Sequence, residues 1–281
     1  MNWQSSLSVV LSLTLGLLLC WCGKLVYGLF HRSTDVNEQL VIKDNAAFAV
    51  PLAAYYFSIL VCLGAAFAGP QRGGLLKDSA LTVGWGLASI LLLNIGAKLT
   101  RHTLFAGLNP HAEIVDRGNL SAGIVAAGSY IASGLVTLGA LSGPSRLVPA
   151  LALWIYGQVW LMIAVRALPL LLRYDTPPQI ARDNRAVALS TAGALIAVGN
   201  ILRLALTAVP PDPSAAIALV TGYAALGVAL LPLCCEAAQF LLWRGFTARH
   251  ELLEQDKPNA GVGFLLGLFY IGASVLVGWC L

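Results

Sequence analysis

Among the charged side chains inside long apolar stretches, four stand out: Lys24, Lys98, Arg166 and Glu236. An ionisable group in hydrocarbon is costly, so such residues mark a substrate path, a proton relay or a buried ion pair. Lys24 and Lys98 each lie 21 residues before an asparagine, Asn45 and Asn119. Their second-half counterparts are Arg166, 18 before Asn184, and Glu236, 23 before Asn259. Two readings compete. Either the basic side chains snorkel to a nearby membrane surface on their long stems, or Glu236 pairs with Lys24, Lys98 or Arg166 inside a bundle. Asn94, Gln158, Asn200 and Gln239 are uncharged polar residues in the same stretches, and they read as interhelical hydrogen-bond glue. Arg203 reads as snorkelling to the opposite surface.

His31, His102, His111 and His250 fall in or at the edge of the odd-to-even loops, near Asp35, Glu38, Glu113, Asp116, Glu251, Glu254 and Asp256. Their chemistry would be titration near neutral pH or metal binding. No two have H-x-x-x-H spacing, so they read as parts of solvated loops. The cysteines (Cys20, Cys22, Cys62, Cys234, Cys235 and Cys280) form no C-x-x-C pair and read as small packing residues. No metal or cofactor is expected. The sequence has no G-x-S-x-G, P-loop, H-E-x-x-H or dinucleotide fingerprint. Its connections are too short for a soluble catalytic domain, so an enzyme is not expected.

The elements that position these residues are membrane helices. Of 281 residues, 58% are apolar and 11% charged, and mean hydropathy is +0.79. That composition excludes a disordered chain and strains an ordinary soluble domain. The net charge of +4 never gathers into a basic run, so nucleic acid is not an expected partner. Stretches of about 20 apolar residues give eight spans: Ser6–Phe30, Ala46–Ala68, Ala80–Leu104, Leu120–Leu141, Leu147–Leu171, Val187–Val209, Ala215–Trp243 and Ala260–Leu281. Turn chemistry separates them at Gly69-Pro70, Asn109-Pro110, Gly143-Pro144, Pro177-Pro178, Pro210-Pro211 and Lys257-Pro258. They are too long and continuous for barrel strands, so the fold class is an all-α, eight-helix polytopic membrane protein.

Lys and Arg divide unevenly between the two ends of these spans. Only Arg72, Lys77, Arg146 and Arg203 lie on one side; the other thirteen, among them Arg32, Arg101, Arg173, Arg185, Arg244 and Arg249, lie on the other. The positive-inside rule puts the odd-to-even loops in the cytoplasm and both termini outside. The first span has no basic start, so it is expected to remain rather than be cleaved as a signal peptide.

Each odd-to-even loop enters its even span through one pattern: a basic residue, any residue, Asn, then small residues two and four later. The basic residues are Lys43, Arg117, Arg182 and Lys257; the asparagines are Asn45, Asn119, Asn184 and Asn259. The small residues four and eight after Asn are Ala49 and Ala53, Gly123 and Ala127, Ala188 and Ala192, and Gly263 and Gly267. Asparagines two copies apart are spaced by 139 and 140 residues. That regularity marks a tandem duplication of a four-helix unit, at 1–143 and 144–281, each unit a pair of hairpins in parallel orientation. Asn is a leading helix N-cap, and small residues four apart let helix backbones approach closely. The four even helices are expected to meet around a pseudo-symmetric centre.

This Asn-x-small-x-small motif on paired hairpins, after an acid-rich loop, resembles the YjfL-type bacterial inner-membrane proteins, a domain of unknown function. Two copies cover nearly the whole chain. The resemblance implies a place in the bacterial inner membrane, a role in envelope stress or in a polyamine or glutathionylspermidine pathway, and a cytoplasmic PspA-like partner. It supplies no catalytic residues.

Two function classes are expected from these features. The first is a non-enzymatic scaffold or docking partner, in contact with the lipid bilayer and open to self-association. The second is a transporter or channel for a small ion or polyamine-like solute, with four helix N-termini and their basic residues facing one zone. The position of the four asparagines separates them: an open axis favours transport, dry helix contacts a scaffold.

Overall fold

A computed structural model describes residues 3–31, 34–67, 74–143, 147–172, 174–242 and 247–280. The span ends Ala68, Trp243 and Leu281, the turn residues Gly69, Pro70 and Pro144, and Arg32, Arg72, Arg146, Arg173 and Arg244 lie outside these. Eight helices are long and apolar enough to cross a membrane: α1 (Trp3–Phe30), α2 (Ala46–Phe67), α3 (Leu75–Leu104), α4 (Leu120–Ser142), α5 (Leu147–Leu172), α7 (Arg185–Thr207), α8 (Pro213–Leu242) and α9 (Ala260–Cys280). A six-residue helix, α6 (Thr176–Ala181), precedes α7.

The helices run slightly past their apolar cores because their caps lie in the polar flanks. Asp212 caps α8, its Oδ2 accepting from the Ala215 N–H at 2.7 Å, with Pro213 in the first turn, where no donor is wasted. The same logic corrects one expectation. Pro177-Pro178 is not a simple break: the two prolines open α6 behind Asp175. The other three motif loops each contain one π turn, at Glu38–Ile42, Ala112–Asp116 and His250–Glu254.

The four asparagine-led helices pack side by side in the order α2, α4, α7, α9, and these are the closest helix pairs in the molecule. The second layer runs α1, α3, α5, α8 over one face of that row. The even helices therefore form an open row rather than meeting around a centre. Small residues set the tight spacing within it. A Cβ on Gly128 would lie 2.7 Å from the Ala192 Cα, and one on Gly199 2.8 Å from the Ala132 Cα. The covering layer instead turns large side chains outward, such as Leu17, Leu170, Leu233 and Phe240. In lipid that exposure carries no penalty, since the tails are as apolar as leucine.

Candidate functional site

Each motif asparagine does two things, and the first three copies do a third. Its Oδ1 accepts from the backbone N–H three residues on, capping its own helix: Phe48 (3.2 Å) for Asn45, Ala122 (3.0 Å) for Asn119, Val187 (3.1 Å) for Asn184 and Val262 (3.2 Å) for Asn259. Its Nδ2 donates to a side-chain oxygen of the loop just before it, on Gln39, Glu113, Gln179 or Glu251. In the first three copies Nδ2 also donates forward to a carbonyl of the next hairpin: Asn45 to Ile114 (3.0 Å), Asn119 to Ile180 (2.7 Å) and Asn184 to Leu252 (2.8 Å). The relay has a direction, each hairpin reaching to its successor. That is why the helices line up instead of converging.

Gln39, Glu113, Gln179 and Glu251 were not singled out from the sequence as partners of the asparagines. Glu113 is only 6% exposed and Glu251 8%, so these two are not solvated loop acids. The π turns aim them. The Lys43 N–H bonds back to the Glu38 carbonyl and the Arg117 N–H to the Ala112 carbonyl, five residues apart. The residue before the asparagine is also constrained. Asp44, Gly118 and Asp183 have φ of 47°, 60° and 53°, the left-handed region that Gly, Asn and Asp tolerate best. Proline cannot adopt it, and the Pro258 copy uses a longer loop, Glu251 preceding Asn259 by eight residues.

The four basic motif residues are not equivalent. Lys43 pairs with Glu38 and Arg117 with Glu113, both at 2.7 Å, whereas Arg182 and Lys257 form no ion pair among the described residues. The small residues divide by place in the row. Gly123 packs onto the Ala47 carbonyl and Gly263 onto the Ala186 carbonyl, while Gly267 meets Gly193 backbone to backbone. Ala127, Ala188 and Ala192 are buried with them. Ala49 is half-buried and Ala53 exposed, because α2 has no helix on that flank.

Lys24, Lys98, Arg166 and Glu236 all lie in the covering layer, with exposed side chains. Glu236 forms no ion pair with any of the three among the described residues, so the buried-pair reading is not what the structure holds. Lys98 and Arg166 instead share the wall of a recess of about 1250 Å³ at the motif end of the first repeat.

The sequence matches a family described as Domain of Unknown Function (DUF350) over residues 1–141 and again over 144–281. The chain belongs to this family, in two tandem copies. A search of curated proteins and one of solved structures find no match.

Within the paired DUF350 units, several buried polar residues bridge helices. The Asn94 Nδ2 donates to the Tyr55 hydroxyl at 3.1 Å, and that hydroxyl donates to the Gly23 carbonyl at 2.8 Å, joining α3, α2 and α1. Asn200 joins α7 to α9 through the Ser274 hydroxyl and accepts from Arg203. The Gln239 Oε1 accepts from the Ala248 N–H. Gln158 differs: it is buried against Gly96 and neither amide atom has a partner. Among the described residues no cysteine forms a disulfide. Among the described residues no three His, Cys, Asp or Glu side chains are grouped to hold a metal.

His31, one residue past the end of α1, stacks on Tyr27 with ring centroids 4.1 Å apart. Burial first, then the Arg101 charge, lower its pKa from 6.5 to about 4, with His111 and Lys98 adding to the effect and the Tyr27 carbonyl opposing it. The unfolded chain therefore binds the extra proton between these values, and stability falls as pH drops from about 6.5 towards 4. Thermal unfolding in detergent should show a lower midpoint at pH 5.0 than at pH 7.5. His31→Gln should shrink that difference; an unchanged difference would assign the acid sensitivity to other groups.

Proposed function

We propose that this DUF350 chain is a non-enzymatic scaffold of the bacterial inner membrane that assembles head to tail with its own copies. The observation that supports this is the repeated junction. In the row, the small residue two after one asparagine meets the small residue four after the next, as Ala47 meets Gly123 and Ala186 meets Gly263. The two ends of the row carry the complementary halves of this junction. On α9, Asn259 donates to no forward carbonyl among the described residues, and Gly261 is exposed beside it. On α2, Ala49 and Ala53 form the uncovered flank, and Leu40 occupies the position of the acceptors Ile114, Ile180 and Leu252. A second copy would continue the row with the same contacts. Because the joined patches differ, the contact is heterologous and builds rings or linear arrays.

The motif loops would form the cytoplasmic rim of such an array. Their surface ion pairs, including Arg249 with Glu254 at 3.1 Å, suit the PspA-like partner and envelope-stress role that the family resemblance implies. A transport pathway has less support. The recess is lined by neither Lys24 nor Glu236, and its lining residues come from the motif halves of the helices and the loops at that end.

Masses of complexes extracted with their native lipid test the proposal. The wild type should give multiples of one chain, and Ala53→Trp, a change on an exposed flank, should give single folded chains. Single chains from the wild type at every protein density would sink the scaffold reading.

A further inference from the structure

The recess beside the first repeat is chemically one-sided. It lies between α1, α2, α3 and α4, with Arg166 of α5 on its wall, and Lys98, Arg101 and Arg166 supply three fixed positive charges. Among the described residues that line it there is no Asp or Glu. Lys98 and Arg166 form no ion pair with any described residue, and Arg101 lies over the Tyr130 ring, 4.5 Å from its centroid. Unneutralised cations beside hydrocarbon are expensive unless an anion or water offsets them.

A second observation comes from Tyr130 itself. It lines the recess, is 1% exposed, and its hydroxyl proton has no acceptor among the described residues, the neighbouring Arg101 guanidinium being a donor only. A buried hydroxyl left unpaired carries a desolvation penalty, which an acceptor oxygen entering the recess would relieve. The same positions in the second repeat carry no such charges. Lys98 and Arg101 precede Asn119 by 21 and 18 residues; the residues 21 and 18 before Asn259 are Ala238 and Leu241, and Glu236, the charged counterpart 23 before Asn259, is acidic. The cationic wall therefore distinguishes the first repeat from the second.

We infer that the recess binds a phosphate-bearing anion, with its oxygens among Lys98, Arg101, Arg166 and the Tyr130 hydroxyl. The shape favours an anionic phospholipid as the source. The wall includes the exposed apolar residues Phe30, Ile95 and Leu99, along which acyl chains can run. At about 1250 Å³ the recess also exceeds the roughly 300–1,000 Å³ of ordinary ligand pockets. Basic pockets between membrane helices are a recurrent means of holding phospholipid headgroups.

The test uses the full chain in nanodiscs of mixed phosphatidylglycerol and phosphatidylcholine. Lipid retained after transfer to mild detergent is counted by native mass spectrometry, and sn-glycerol 3-phosphate binding is measured separately by calorimetry. The wild type should retain phosphatidylglycerol over phosphatidylcholine. The double variant Lys98→Gln, Arg166→Gln should lower that preference roughly 30-fold, at about 1 kcal/mol per basic residue and 1.4 kcal/mol per factor of ten. Both side chains are exposed, so the fold should tolerate the change. Tyr130→Phe, with all charges kept, should lower it about fivefold. No lipid preference, but glycerol phosphate binding that the double variant loses, would assign the site to a soluble anion. Absence of both forms of binding in the wild type, or binding untouched by the double variant, would overturn the site.

Discussion

In a Gly193→Leu chain the helix row should fail to close. A Cβ at position 193 would run into the Cα, carbonyl carbon and carbonyl oxygen of Gly267. All three are backbone atoms of α9, so no side chain can swing aside. Opening the α7–α9 contact would also separate Asn200 from Ser274 and Asn184 from the Leu252 carbonyl. Overpacking of a well-packed core costs about 1–3 kcal/mol, and the linked polar losses put this variant at the upper end or beyond. Little monodisperse protein should survive detergent extraction. Gly272→Leu is the matched control, because Gly272 lies on α9, the helix that Gly193 meets, with nothing within 4 Å. Its thermal midpoint should stay within a few degrees of wild type. Similar behaviour of the two variants would mean that the close α7–α9 approach is not what holds the row.

The second large effect is expected at Asn119. Asn119→Ala removes the cap on Ala122, the bond to Glu113 and the forward bond to the Ile180 carbonyl. It leaves a buried carboxylate with one partner fewer, though Arg117 still pairs with it. An N-cap is worth about 1 kcal/mol, and each buried group left unsatisfied costs about 1–3 kcal/mol. A loss of about 4 kcal/mol follows. Asn259→Ala removes the cap and the Glu251 bond but no forward bond within the chain, so about half that loss is expected in a single chain. Denaturant unfolding of both variants gives the comparison. Equal losses would show that the forward bond contributes nothing.

The contrast between these positions also marks what could be read from sequence. The helices were legible because hydrocarbon demands about 20 apolar residues at a stretch, and the asparagines because capping is local chemistry that repeats at a fixed offset. The side chains that receive them were not. Gln39, Glu113, Gln179 and Glu251 precede their asparagines by six, six, five and eight residues, so no fixed spacing betrays them. The position before Asn looked free to vary, yet Asp44, Gly118 and Asp183 share a backbone state that residue names alone do not reveal. The order of the row was hidden as well. Four similar small-residue faces fit a closed centre as readily as a line, and only the forward hydrogen bonds decide between them. The basic recess depends on Arg101 meeting Tyr130 from a different helix, a contact with no signature in either local sequence.

The claim that the junction within the chain is used again between copies can be tested by one disulfide. In a background with the six native cysteines replaced, Ala49→Cys and Gly261→Cys place thiols on the two uncovered halves of the junction. They sit four residues after Asn45 and two after Asn259, the offsets at which Gly123 meets Ala47 and Gly263 meets Ala186. Mild oxidation in native membranes should yield covalent dimers and a ladder of longer chains from the double variant, and dimers at most from either single variant. Monomer alone, from membranes in which the protein is folded, would contradict the account.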